Sequence, residues 1–94
     1  MTIEERFESF DDDALKFEMI EKPRSNRPDL HAFLLLDDLF PHASFDMVSS
    51  AAHDEIHLDV GLEQIETLTD DHISELVRCG VIYDGSYDSL MMFV

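Results

Sequence analysis

Five histidines, one cysteine and 22 Asp and Glu are the side chains of this sequence whose chemistry could build a site. The densest grouping is His53-Asp54-Glu55-Ile56-His57. Two histidines four apart share a helix face, and a zinc helix carries H-E-x-x-H, with glutamate directly after the first histidine. Here Asp54 takes that place and Glu55 comes one residue late. The alternation of Ile56, Leu58 and Val60 with Glu55, His57 and Asp59 reads instead as a strand. On a strand His53 and His57 stand ~13 Å apart, too far to share one ion. His31, His42 and His72 repeat no ligand spacing and are expected at the surface or at element boundaries. Cys79 falls at a helix C-terminus, where the dipole disfavours a thiolate, and reads as a half-buried packing residue. Asp84-Gly85-Ser86-Tyr87-Asp88 lacks the G-x-S-x-G pattern of a nucleophile elbow and reads as a turn. Asp11-Asp12-Asp13 lacks the alternating acids, central glycine and late glutamate of a calcium loop. Three glycines form no phosphate-binding loop. Asp37-Asp38 could do acid–base work, but nothing distinguishes the pair from solvated charge at a helix end. The expectation is no catalytic residue, no metal and no cofactor.

The elements that would position these side chains follow from pattern. Thr2-Ile3-Glu4-Glu5 fits a capping box, and Ile3, Phe7 and Phe10 continue a short helix over about residues 3–12. Leu15, Phe17 and Met19 alternate with polar neighbours, which predicts a strand over 15–20. Lys22–Pro28 is a loop by its prolines and polar filling. Pro28 fits the first position of a strongly apolar helix that Pro41 ends, expected to be the central core helix. Phe45–Ala52 and Glu55–Val60 read as a hairpin turning at His53-Asp54. Leu62, Ile65 and Leu68 give a short helical stretch. Thr69 then caps a helix with Ile73, Leu76 and Val77 inward, and Gly80 stops it. Val81-Ile82-Tyr83 and Leu90–Val94 form a last strand pair around a turn at Asp84-Gly85. The fold class is α+β in the order α-β-α-β-β-α-β-β: a small antiparallel sheet with helices on one face, nearest to a ferredoxin-like arrangement. The uncovered sheet face is expected to carry Lys16, Glu18, Glu55, His57 and Asp59.

At 94 residues the chain makes one domain, 1–94, with a single modest core. Hydrophobic residues are 45%, among them seven Phe and five Met, which a disordered acidic tail would not have. Six Lys and Arg against 22 acids leave a formal net charge of -16. Sixteen charges correspond to roughly 27 Å of duplex DNA, and a domain of this length should be about 30 Å across. A charge density approaching that of DNA excludes direct nucleic-acid and anionic-membrane binding and favours a basic partner. One cysteine, no spanning apolar run and an acidic N-terminus without a signal-peptide pattern together predict a cytoplasmic protein. A homodimer is compatible with the composition.

The acids occur on every expected element, and few have a basic residue four positions away. In size and charge the chain resembles the small acidic inhibitors of phages and mobile elements that mimic nucleic acid, including anti-CRISPR and anti-restriction proteins. That resemblance is one of composition, with no family motif. It implies an inhibitor or regulator that is not an enzyme and that blocks the basic nucleic-acid-binding surface of a partner in the host cytoplasm. The dense clusters Asp11, Asp12, Asp13 and Asp70, Asp71, Glu75 are the first candidates for the contact. Three more functional classes fit the same composition. The charge could be adaptation to high salt, though such proteins favour small core residues and this chain is rich in Phe, Leu and Met. An antitoxin-like subunit could bind through an apolar patch of Phe45, Met47, Met91, Met92 and Phe93. A small enzyme with an unusual site is the last of the three.

Overall fold

The computed structural model describes residues 2–41, 47–52 and 54–93. Thr2 opens the first helix as a reciprocal cap: its hydroxyl accepts from the Glu5 N–H at 3.2 Å, and the Glu5 carboxylate accepts from the Thr2 N–H at 3.1 Å. Helix α1 spans Ile3–Glu8 and gives way to a 3-10 turn at Asp11–Asp13. The strand expected over 15–20 does not form. Leu15 has φ 61 and Lys22 φ 49, and Phe17–Met19 between them is a second 3-10 turn. A left-handed residue at each side removes the extended path that alternation implied. The expected sorting fails with it: Leu15 and Met19 are exposed, and Ile20, placed among the polar positions of the alternation, is buried.

Pro28 does begin the next helix, α2 (Pro28–Leu39), which buries His31, Ala32, Leu35 and Leu36. It is not the central helix. Leu30 and Leu34 remain exposed on its outer side. The centre belongs to α4 (Asp70–Arg78), which packs against α1, α2 and both 3-10 turns, and also against strand β3 (Val81–Asp84). Ile73, Leu76 and Val77 form its inward stripe, each contributing roughly 1.5–3 kcal/mol by burial. On α4 the apolar residues form a single stripe with charged residues opposite, which fixes how that helix lies. Helix α3 (Leu62–Ile65) precedes it, and its Gln64 side chain accepts from the Gly61 N–H at 3.0 Å.

Strands β1 (Val48–Ala52), β2 (Glu55–Leu58), β3 and β4 (Ser89–Phe93) make one antiparallel sheet in the order β1-β2-β4-β3. The α+β class and the antiparallel sheet are as expected, and both are compatible with a ferredoxin-like arrangement. Ala52 pairs with Glu55, and Asp54 beside that pair has φ 66; His53, expected in the turn, lies outside the described residues. Leu58, Leu90, Met92 and Val81 face the helices and are buried. The opposite face carries His57, Met91 and Ile82 in one cross-strand row, flanked by Glu55 and Phe93. Lys16 and Glu18, expected on that face, belong to the 3-10 segment, and Asp59 lies just past the end of β2. The apolar patch expected from sequence does not form as one exposed surface among its described residues, and Met47 is half-buried. Met91 and Met92 are each 5% exposed because β4 is an inner strand, Phe93 at its end is open, and Phe45 lies outside the described residues.

Candidate functional site

The two acidic clusters singled out in the sequence lie about sixty positions apart, and the fold joins them. The Asp11–Asp13 turn packs on α4, and the Ser74 hydroxyl donates to Asp13 Oδ2 at 3.0 Å. Arg78, one turn further along α4, brings Nη2 to 3.6 Å from Asp13 Oδ1. Asp13 is therefore a latch that holds the acidic turn against the helix. Asp70 is a second latch. Arg6 of α1 donates to Asp70 Oδ1 at 3.0 Å and to the Leu68 carbonyl at 2.7 Å.

Local sequence places the other acids of α4. Thr69 caps the helix, its hydroxyl accepting from the His72 N–H at 3.2 Å, while His72 Nδ1 accepts from the Thr69 N–H at 3.3 Å. Asp70 and Asp71 then fall in the first turn, where the exposed N–H groups favour negative charge. Asp71 is exposed there, and Asp11 and Asp12 are exposed on the adjoining turn. None of these three makes an ion pair with the described residues. Few acids have a basic residue close by in sequence, yet the fold brings an arginine to Asp13 and to Asp70. Arg78 is 65 positions from Asp13 (78 − 13) and Arg6 is 64 from Asp70, so no reading of local spacing could find these partners.

Glu75 has a different surrounding. Its Oε2 lies 3.6 Å from Nε2 of His31, a side chain only 2% exposed. His31 Nδ1 accepts from the Arg24 N–H at 2.9 Å, and the Phe17 ring meets the imidazole edge-on at 5.8 Å. The sequence expectation of a boundary histidine is overturned here. His31 stands four residues before Leu35, on the buried stripe of α2, and that spacing was the available signal. Between α4 and the segment 19–21 lies a shallow cavity of about 360 Å³ whose wall includes Glu21, Asp71, Glu75 and Arg78.

His57 is on a strand, as its alternation predicted. Its Nε2 lies 3.6 Å from Glu55 Oε2 and its Nδ1 3.7 Å from Asp84 Oδ2, with Tyr87 packed edge-on at 5.5 Å. Among the described residues no group of three His, Cys, Asp or Glu could hold a metal ion; His42 and His53 lie outside them. Cys79 is buried more deeply than expected, at 3% exposure. Burial first, and the Glu75 charge second, push its thiol up to about 12. Tyr83 is also pushed up to about 12, chiefly because its hydroxyl donates to Asp88 at 2.6 Å.

Three of the four arginines are engaged in pairs with acids distant in sequence: Arg6 with Asp70, Arg24 with Asp38, and Arg78 with Asp13. They fasten the fold together and leave the open acids of the 11–12 turn and of Asp71 uncompensated. No helix among the described residues is long and apolar enough to cross a membrane. Comparison with protein-family models, curated proteins and solved structures yields no match to this chain.

Proposed function

We propose that this chain is an acidic inhibitor or regulator that occupies the basic nucleic-acid-binding surface of a partner protein, its carboxylates standing where phosphates would. It acts by binding and not by catalysis. The observation that carries the reading is the convergence of the two acidic clusters on α4, which leaves Asp11, Asp12 and Asp71 exposed and without ion pairs among the described residues. Size supports it as well. The molecule measures 29 × 28 × 28 Å, close to the roughly 27 Å of duplex that carries sixteen charges. Attraction at long range would speed encounter, and desolvated contacts at close range would set residence time.

The test uses basic nucleic-acid-binding proteins captured from lysate by the immobilised chain at low salt. Captured proteins should be released by duplex DNA or RNA, and their affinity should drop roughly tenfold or more between 50 and 200 mM salt. Asp11→Asn, Asp12→Asn and Asp71→Asn together should weaken capture and lower the melting temperature by no more than the loss of about 0.3–1 kcal/mol at the helix N-terminus implies. Binding indifferent to salt and to competing nucleic acid would sink the reading. So would a melting temperature that collapses below about 0.1 M salt, since unscreened repulsion of that size marks salt adaptation.

A further inference from the structure

A groove of about 210 Å³ runs between α1, the Asp11–Asp13 turn and β3. Its floor is apolar. Phe7 packs on Tyr83 with ring centroids 6.0 Å apart, Val77 of α4 and Ala14 complete the surface, and Ile82 borders it along the edge strand β3. Its rim is acidic. Glu4 and Glu8 stand four apart on α1, Asp11 opens the 3-10 turn that follows, and all three exposed carboxylates border the same opening. Among the described residues no lysine or arginine lines it. Arg6, on the same helix, is held by Asp70 and the Leu68 carbonyl.

An apolar floor beneath a ring of carboxylates suits one kind of visitor. A hydrated metal ion gains nothing from Phe7 and Val77, and a neutral apolar residue gains nothing from the rim. A long cationic side chain satisfies both, laying its methylenes on the floor and its charge among the acids. Arginine suits it better than lysine because the guanidinium is weakly hydrated, stacks on aromatic faces such as Tyr83 and pairs with more than one carboxylate.

We propose that the groove between α1 and β3 receives an arginine side chain presented by the basic partner. The inference rests on the mimic reading and adds where the partner's anchor is held. A phosphate mimic with only exposed acids would bind diffusely, and a walled groove supplies register.

The test is an NMR titration of the full-length chain with acetyl-Gly-Arg-Gly-amide, alongside the lysine and citrulline versions. The arginine peptide should move the signals of Val77, Ile82 and Tyr83, and the isosteric but uncharged citrulline peptide should not. Glu4→Gln, Glu8→Gln and Asp11→Asn together, all at exposed positions, should weaken binding roughly tenfold. Equal binding of the lysine peptide would overturn the choice of arginine. Shifts centred on Asp12, Asp71 and Ser74, untouched by the groove variant, would overturn the groove while the mimic reading stood. Absence of competition by nucleic acid in the capture assay would remove the mimic reading, whatever the peptide did.

Discussion

Asp12 and Asp13 are neighbours in one 3-10 turn, yet the structure gives them opposite roles, and replacing each with alanine isolates the difference. Both changes remove one negative charge from a molecule of net charge -16, so the relief of self-repulsion largely cancels between them. What remains is the latch. Asp13 accepts from the Ser74 hydroxyl at 3.0 Å and lies 3.6 Å from Arg78, both ion-pair side chains being 27% exposed. A hydrogen bond to a charged group contributes about 1.5–3 kcal/mol. An ion pair as open as this one adds under about 1 kcal/mol. Taking the lower part of that span because the site is part-exposed, Asp13→Ala should be less stable than Asp12→Ala by about 2 kcal/mol. For a domain of this size that separates the melting temperatures by about 8–16 °C. Urea unfolding followed by circular dichroism in 0.15 M salt measures it directly. Coincident midpoints would refute the latch. So would a Ser74→Ala, Asp13→Ala double-mutant cycle with no coupling, since the two side chains would then be energetically independent.

Three further outcomes are expected. Gly80 ends α4 with φ +92, and a Cβ there would meet Leu15 Cδ2 at 3.1 Å; Gly80→Ala should cost at least about 1–2 kcal/mol, and thermal melts should show most of that cost persisting in a Leu15→Ala background, because the strain is in the backbone. Cys79, with its thiol near 12 against an ordinary 9.0, should resist iodoacetamide in the native protein at pH 8 and react once unfolded. The sign of the linkage is that the buried neutral thiol stabilises the fold fully below pH 9, and that contribution is lost as pH rises toward 12. Cys79→Ala should flatten the alkaline fall in stability, although the Tyr83 phenol contributes to it in the same direction.

Features that depend on a few adjacent residues could be read from the chain alone. Thr2 with Glu5 and Thr69 ahead of Asp70 announce their helices because a cap is satisfied within four residues. Pro28 announces α2, and the alternation from Glu55 to Leu58 announces β2. The strand expected at 15–20 fails for a reason of the opposite kind. Alternation describes which side chains are apolar, while the backbone at Leu15 and Lys22 is left-handed. Leu15 there reaches α4, its N–H donating to the Val77 carbonyl at 3.3 Å.

Composition also determined the charge, and with it the class of partner worth considering. Which acids are open is another matter. Asp11, Asp12 and Asp13 are indistinguishable as a run of three, and only the packing of their turn on α4 makes Asp13 a latch and leaves the first two to solvent. Asp70 and Asp71 divide in the same way once Arg6 arrives from α1. Only the pair Glu4 and Glu8 of the groove follows helical spacing; Asp11 reaches the rim through its own turn, and Val77 and Tyr83 come to the floor from the other end of the chain. Spacing along a chain fixes which side chains share a face, whereas a contact across sixty residues exists only after two faces have been buried against each other.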